Sequence, residues 1–490
     1  MKRYFLLILI LLLAQHTTSQ VTNSVLAVGD WYKFSVDTTG VFKIDKNLLQ
    51  KIGVSTNGLN PKNIQIFGNG GHLLPVLNSD FRNQDLKENA IFIEGEADGS
   101  FDANDFILFY AKGPHDWVIN TTTKTANHRQ NIYSDKAYYF ITVGSSNGKR
   151  IANKATNTIP ASSVITSFDD FIFYEKDEIN LIAAGTQWFF YDDFNIENTQ
   201  TFTIPFSNAI ENTSLSVKVR AASTSVSSSS MEVKVNGLGY PTLNFSPINS
   251  SDKARASEKT SLLENSSDFI KIEINYNNNG NPAANAYLDY IEVVGKKELR
   301  ADATQFSFRS FEQSDAIGVV EYQIKNATNI FQVWDVSNFL LPSAISNEAT
   351  DSSFIFRDNG SLLKEYVVLN ESDFYIPETI ENAKVVNQNL HALRDLNYII
   401  ITSSELASEA KRLAEYHEVN SGLITKVVLL DEIYNEFSSG SKDITGIRDF
   451  IKHIYDTNSS EDKKLKYVCF FGDASYDYKD RLSGNNNIVP

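Results

Sequence analysis

The sequence predicts a multidomain protein in which β-rich N-terminal domains, one of them a β-sandwich, precede the first half of an α/β domain with a parallel sheet. The chain has 490 residues, which suits roughly three domains. Of these residues, 42% are hydrophobic and 12% aromatic, enough for several packed cores. Short strand patterns fill the chain up to about Val386, and strands then alternate with helices.

Residues 1–19 have the pattern of a secretory signal peptide. Lys2 and Arg3 supply a positive start, and an apolar run from Phe5 to Ala14 leads to small residues before a predicted cut ahead of Gln20. This run is shorter than the roughly 20 apolar residues that a membrane-spanning helix needs. We therefore expect the chain to be exported into an aqueous compartment beyond the inner membrane.

Charge and cysteine content exclude some classes of protein. The formal net charge of −16 comes without clustered Lys and Arg, which argues against a nucleic-acid partner. Cys469 is the single cysteine of the sequence, so no intrachain disulfide can form and stability must come from the cores. An exported chain of this kind is typical of bacteria.

Residues 20–158 are predicted to form a β-rich domain. Short segments with alternating aromatic residues, such as WYKFSV from Trp31, are separated by turn residues. One helical segment begins at Lys46 and is stopped by Gly53, because glycine commonly ends helices.

Residues 159–297 are predicted to form a β-sandwich. Apolar and polar residues alternate along its strands, Asn236-Gly237 is a strong hairpin signal, and no helical pattern interrupts the strands. Residues 298–385 continue with strand patterns and are expected to form a small β-domain, with Pro377 near its end.

Residues 386–490 change to the pattern of a parallel sheet covered by helices on both faces. Three continuous apolar strands alternate with two amphipathic helices, and Ser404 is placed to cap the first helix. The predicted segments, in order, are LNYIIITSS, ELASEAKRLAEYHEV, ITKVVLLD, ITGIRDFIKHIYD and KLKYVCFFGDAS. Three strands and two helices would leave a large apolar face bare, so we expect the domain to continue beyond Pro490.

The carboxyl ends of these strands are where a site is expected, since ligands gather there in open parallel sheets. Asp473, after the third strand, is the best placed polar residue. Two roles are open for it: capping of the turn or of the next helix, or contact with a metal or a substrate.

Cys469 and the histidines give weak signals of catalysis. Cys469 lies inside the strand YVCFF, which favours a core position over an activated nucleophile. His417 and His453 fall near apolar positions of the two helices and are interpreted as boundary residues. No catalytic residue is assigned on this basis.

An acidic segment, EGEADGSFDANDF, suggests a calcium site. Asp98, Asp102 and Asp105 would supply carboxylates, and Gly99 permits a sharp turn. The spacing is not that of an EF-hand, and a solvated turn between two strands is the alternative. Calcium is the one cofactor that the sequence suggests.

One dense aromatic run lies in the predicted sandwich, from Trp188 to Tyr191. Exposed in a shallow groove, it would favour a carbohydrate-binding or adhesive envelope protein. The alternative is a buried strand.

The segment from Asp443 to Asp473, together with VGDWYKFSVDTTGVFKID, IEGEADGSFDANDFILFYAKGP and FFGDASYDYKDR, resembles gingipain-type cysteine peptidases, and among them the sortases of the bacterial type IX secretion system. The resemblance implies a caspase-like α/β peptidase domain with a His and Cys dyad on later strands. Neither dyad member can be assigned here, because the matching segments would fall past Pro490, and Cys469 matches an apolar position of the earlier strand.

The resemblance also implies a function. Such sortases remove C-terminal sorting signals from secreted cargo and transfer the cargo to outer-membrane lipopolysaccharide in Bacteroidota. The implied partners are these sorting signals and the outer-membrane components of the type IX machinery, and the implied location runs from the periplasm to the cell surface. A secreted gingipain-like protease and the non-enzymatic binding protein are the alternatives.

Overall fold

The computed structural model describes residues 21–264, 267–302 and 304–490. The predicted signal peptide, residues 1–19, lies outside the described residues. The described chain is rich in β-strands, contains few helices, and ends in a parallel sheet, as the sequence predicts. No helix in the described ranges combines the length and the apolar character that crossing a membrane requires.

The N-terminal domain is built from short strands and one helix. Its elements are β1 (Trp31–Val36), β2 (Gly40–Asp45), α1 (Lys46–Ile52), β3 (Ile64–Phe67), β4 (Glu88–Asn89), β5 (Ile91–Glu94), β6 (Phe106–Ala111), β7 (Asp116–Asn120), β8 (Thr125–Arg129) and β9 (Ala137–Val143). The predicted helix is confirmed: Asp45 caps its start by accepting a hydrogen bond from the Leu48 amide at 2.8 Å, and Gly53 ends it with φ of +101°.

Two antiparallel sheets form the core of this domain. One contains β1, β3, β4 and β9, and the strand Glu378–Val385 joins its edge by pairing with β1. The other contains β2, β5 and β6. Phe34 and Ile66 from the first sheet share one hydrophobic cluster with Ile44 and Phe109 from the second. The β7–β8 hairpin stands apart from both sheets.

Two short strands, β10 (Ala152–Asn153) and β11 (Ser163–Ile165), lead into the sandwich. The sandwich strands are β12 (Ser167–Glu175), β13 (Thr199–Pro205), β14 (Ser214–Ser223), β15 (Ser229–Val235), β16 (Leu238–Gly239), β17 (Leu243–Phe245), β18 (Arg255–Glu264), β19 (Phe269–Asn277) and β20 (Ala286–Glu298). The sheet β12-β20-β14-β18 and the sheet β13-β19-β15-β16, with β17 beside β15, share one core, so the predicted sandwich forms. Asn236 and Gly237 make the predicted hairpin with positive φ at both positions.

The third β-region contains β21 (Phe306–Phe308), α2 (Phe311–Asp315), β22 (Val319–Ile324), β23 (Ile330–Asp335), β24 (Ser343–Ile345), β25 (Phe354–Asn359), β26 (Tyr366–Asn370) and β27 (Glu378–Val385). Its sheets have the orders β10-β24-β23-β26-β21 and β11-β22-β25. Strands β10 and β11, which precede the sandwich in the chain, therefore belong to the sheets of this region. Strand β27 belongs instead to a sheet of the N-terminal domain, where it pairs with β1.

The C-terminal region is the α/β domain. Its elements are β28 (Tyr398–Thr402), α3 (Ala407–Ser421), β29 (Thr425–Leu429), α4 (Leu430–Phe437), α5 (Ile444–Asp456) and β30 (Tyr467–Phe471). The strands are parallel in the order β29-β28-β30. Ile400 packs with α3 on one face, and Ile399 and Ile401 pack with α4 and α5 on the other.

Two details of this domain differ from the sequence prediction. Ser404 is not the cap of α3, because residues 404–406 form a turn and the helix begins at Ala407 without a side-chain cap. Helix α4 was not predicted, since its eight residues continue directly from the second strand and carry no loop or breaker signal.

Candidate active site at the ends of the parallel strands

The carboxyl ends of the parallel strands meet at a cleft of about 350 Å³. This is the edge at which the strand pattern predicts a site. The cleft is lined by Ser403, Ser404, Leu429, Leu430, Asp431, Tyr434, Lys442, Tyr478, Asp480, Asn485, Asn486, Asn487, Ile488 and Pro490. Most of these side chains can donate or accept hydrogen bonds, so the cleft is polar.

The strand ends hold the floor of the cleft in place. The Thr402 hydroxyl donates to the Phe471 carbonyl at 2.8 Å, which ties the end of β28 to the end of β30. The Leu429 amide donates to the Glu432 carboxylate at 3.0 Å where β29 turns into α4. Asp431 is therefore presented in the first turn of a helix, where the helix dipole favours a carboxylate.

The N-terminal domain supports α4 from behind. The Lys33 ammonium on β1 donates to the Asn435 side chain at 3.0 Å and to the Gly440 carbonyl at 3.1 Å. Burial lowers the pKa of Lys33 to about 8, and the nearby Asp431 carboxylate works in the opposite direction. The helix that presents Asp431 is thus fastened to another domain.

Asp473 closes a loop of residues 473–489, named here the cleft loop. Its backbone carbonyl accepts hydrogen bonds from the amides of Ile488 and Val489, both at 2.9 Å. Its carboxylate accepts from the Ala474 amide at 3.1 Å and from the Asn486 side chain. These contacts are those of a turn-capping carboxylate, one of the two roles open for Asp473 from the sequence.

The cleft loop is the part of the site that sequence analysis missed. Tyr478, Asp480 and residues 485–488 all line the cleft. The polar run Asn485 to Asn487 is typical of any surface turn, and nothing in the sequence says which surface the loop contacts. Only the return of the loop to Asp473 brings these side chains to the strand ends.

Cys469, His417 and His453 lie away from the cleft. Cys469 is half-buried in the middle of β30 and packs with the α3 side of the sheet. The imidazole of His453 is 7% exposed, and burial lowers its pKa to about 4. His417 lies near the end of α3 with its ring against Tyr398. Of the described residues that line the cleft, none is a cysteine or a histidine.

The predicted calcium ligands lie in a turn between β5 and β6. Asp98 accepts from the Ser100 amide at 2.9 Å, Asp102 from the Ser100 hydroxyl at 3.2 Å, and Asp105 from the Asp102 amide at 2.7 Å. Across the described ranges, no three or more His, Cys, Asp or Glu side chains are grouped to hold a metal ion. Calcium binding stays a prediction, and an unchanged melting temperature after chelation would contradict it.

The aromatic run of the sandwich is largely buried. Trp188, Phe189 and Phe190 are 3%, 4% and 9% exposed, and only Tyr191, at 67%, faces solvent. The ring of Trp188 is covered by Tyr476 of the cleft loop, with ring centroids 5.9 Å apart. The run therefore does not form an exposed aromatic groove.

Comparison with known proteins identifies what this arrangement is similar to. Residues 391–490 match the model of peptidase family C25. The structure of dimeric latent PorU from Porphyromonas gingivalis superimposes with a TM-score of 0.81 at 24% identity, covering 94% of this chain. The chain spans 43% of the length of that PorU chain. No curated protein matches the chain.

Two carbohydrate-binding modules match a smaller part of the chain. A CBM36 module in complex with calcium and xylotriose gives 15% identity and a TM-score of 0.17, covering 26% of this chain and 99% of its own. The CBM35 module from Cellvibrio japonicus Abf62 gives 10% identity and 0.18, covering 26% and 97%. The superposition on latent PorU shows that the chain is PorU-like in fold, and its residues 391–490 match peptidase family C25.

Proposed function

We propose that this chain is part of a sortase-type cysteine peptidase that cleaves C-terminal sorting signals from secreted cargo and transfers the cargo to outer-membrane lipopolysaccharide. The observation that carries the proposal is that 94% of the chain superimposes on latent PorU while the strand-end cleft falls inside the segment that matches family C25. The proposal implies that the protein is exported and is located at the outer membrane, facing the cell surface.

The proposed chemistry is acyl transfer. A thiolate attacks the scissile carbonyl, the bond to the sorting signal breaks as its amine leaves with a proton, and an amine of the acceptor then attacks the thioester and releases the thiol. The described cleft offers no thiol or imidazole for these steps. In this proposal the dyad comes from outside the described residues.

The residues of this chain would bind and orient the cargo. Ser403, Asp431 and the asparagines of the cleft loop can pair with the backbone of an extended polypeptide, and Tyr478 offers an aromatic face beside them. Lys442 can pair with an acidic side chain or a terminal carboxylate. Holding the scissile bond in one geometry supplies much of the barrier reduction in such enzymes.

A secreted protease is the alternative enzyme, and substrate choice separates it from a sortase. The natural protein, expressed from its complete reading frame, is incubated with a cargo that ends in a sorting signal and with the same cargo whose signal is scrambled. A sortase cleaves only the first cargo, at one position, and a general protease degrades both. If neither cargo is cleaved, the proposed function is wrong.

Cys469 provides a sharper prediction about the nucleophile. Because Cys469 lies half-buried inside β30 and outside the cleft, the Cys469→Ala variant should keep cargo cleavage within about twofold, as for a modest core change far from the chemistry. Iodoacetamide should still abolish cleavage by this variant, because the proposed nucleophile is a different thiol. Loss of cleavage in Cys469→Ala with its fold intact would show that the nucleophile was assigned wrongly.

A further inference from the structure

The cleft loop, residues 473–489, presents two faces. Asp480, Asn486 and Ile488 line the cleft at the strand ends. Tyr476 and Arg481 do not line it and instead contact the β-sandwich. The loop is therefore a wall of the cleft on one side and an interdomain contact on the other.

The sandwich holds the loop through one charged and two aromatic contacts. The Arg481 guanidinium donates to the Asp177 carboxylate at 2.9 Å and lies 4.5 Å over the Trp188 ring. Tyr476 stacks on the same ring, with centroids 5.9 Å apart. The Asp177 and Arg481 side chains are 7% and 14% exposed, so water screens this ion pair only weakly.

The N-terminal domain holds the same loop at a second place. The Tyr133 and Tyr478 rings meet edge to face with centroids 5.0 Å apart, and the Lys479 ammonium pairs with the Asp135 carboxylate. Tyr478 also lines the cleft. Tyr478, a side chain of the cleft wall, thus packs directly against the N-terminal domain.

Contacts within the loop transmit this support to its cleft face. Asp477 is fully buried, accepts from the Leu482 amide at 2.7 Å, and lies 3.8 Å from Arg481. The Asp477 carbonyl accepts from the Asn485 side chain at 2.8 Å, and Asn485 lines the cleft. The path from Asp177 to the cleft is therefore a continuous set of hydrogen bonds and ion pairs.

We propose that the sandwich and the N-terminal domain determine the specificity of the cleft: through Asp177, Trp188 and Tyr133 they hold the cleft loop as one wall, and so they set which polypeptide the cleft accepts. These three are positioning residues, since none of them lines the cleft. The inference rests on the proposed peptidase function.

The test uses the natural protein from its complete reading frame, with Asp177→Asn and Trp188→Ala variants. Cleavage of a sorting-signal peptide should fall roughly tenfold or more in kcat/KM, as expected when a binding wall shifts by about 1 Å. The loss should lie mainly in KM, and the preference over a scrambled peptide should shrink. Hydrogen exchange of amides 474–488 should become faster.

Two controls separate loop docking from folding. Tyr191→Ala removes an exposed aromatic residue of the same segment and should change neither kinetics nor exchange. Trp188→Phe keeps a ring under Arg481 and should restore most of kcat/KM. In the Asp177→Asn, Arg481→Gln double variant, the loss should be smaller than the sum of the two single losses, because both changes break the Asp177–Arg481 ion pair.

The outcomes separate this inference from the proposed function. Faster exchange in the loop with unchanged kcat/KM and preference would overturn the inference while leaving a peptidase in place. Kinetics altered equally in Tyr191→Ala would overturn it too. A wild-type protein that cleaves no sorting-signal peptide would overturn the proposed function, and the inference with it.

Discussion

At the scale of single residues, the buried His128 acts as a charge that joins parts of the fold. His128 on the β7–β8 hairpin lies between Glu175 of β12 and Glu292 of β20, and its ring stacks on Phe173 at 4.5 Å. Burial alone would lower the pKa of His128, but hydrogen bonds from the imidazole to both carboxylates outweigh it and raise the pKa to about 9. His128 is therefore charged at neutral pH and links the hairpin to the sandwich.

Replacing this histidine should remove a pH-dependent part of the stability. Since the pKa is raised on folding, the stabilisation is fully present below the unfolded value of about 6.5 and is lost as pH rises through about 9. His128→Gln should lower the free energy of unfolding by roughly 3 kcal/mol at pH 6 and by much less at pH 9.5. Urea unfolding followed by tryptophan fluorescence at both pH values measures this.

A second histidine serves as the control for that experiment. The His417 imidazole shares a hydrogen bond with the Ser421 hydroxyl at 3.3 Å, and its ring packs against Tyr398. His417→Gln should change the free energy of unfolding by less than about 0.5 kcal/mol. An equal loss for His128→Gln at pH 6 and pH 9.5 would show that the imidazolium charge does not contribute.

At the scale of elements, sequence patterns predicted the strands, helices and turns that short-range interactions determine. The strand Tyr398–Thr402 and helix Ile444–Asp456 follow from continuous apolar residues and from helical spacing, and the hairpin at Asn236 follows from its turn residues. The pairing of Glu378–Val385 with β1 could not be predicted in this way, because its partner lies more than 340 residues earlier in the chain. The cleft at the strand ends was predicted, and the loop that walls it was not.

The end of helix α1 allows a test of one such local prediction. Gly53 has φ of +101°, and a Cβ built there would lie 3.1 Å from the Tyr32 ring. Gly53→Ala should therefore lower the free energy of unfolding by about 1 kcal/mol or slightly more. Gly239→Ala is the matched control, since Gly239 lies outside the left-handed region and its added Cβ meets nothing within 4 Å. Equal effects of the two changes would contradict a special role for the Gly53 backbone.

At the scale of the whole molecule, buried and half-buried charges join the domains. The Lys112 ammonium and the Arg309 guanidinium both pair with the Glu365 carboxylate, at 2.8 Å and 2.7 Å, which connects the N-terminal domain to the third β-region. These two cations outweigh the burial of Glu365 and lower its pKa to about 2. Such pairs favour one packing arrangement of the two domains, because an arrangement that left one of these charges unpaired at the same place would be destabilised.

The α/β domain is joined to the rest in the same manner. The Glu436 carboxylate accepts from His391 Nδ1 at 2.5 Å, while His391 Nε2 lies 2.7 Å from the Gln84 carbonyl of the N-terminal domain. The His391 and Glu436 side chains are 1% and 0% exposed, so both are buried. The sequence marks none of these partners, since each pair joins residues far apart in the chain. Glu436 lies on α4, and the first turn of this helix lines the cleft. The cleft therefore depends on the packing of the domains against one another.

The measurement that tests the central claim most directly is photo-crosslinking of a sorting-signal peptide to the natural protein. A benzophenone amino acid replaces Tyr478 in the cleft or, as the control, exposed Tyr191 on the sandwich. If the strand-end cleft receives the sorting signal, the peptide crosslinks at position 478 and an excess of unlabelled peptide competes it away, while position 191 stays unlabelled. Equal labelling at both positions, or labelling at 191 alone, would contradict the claim that this cleft is the cargo site.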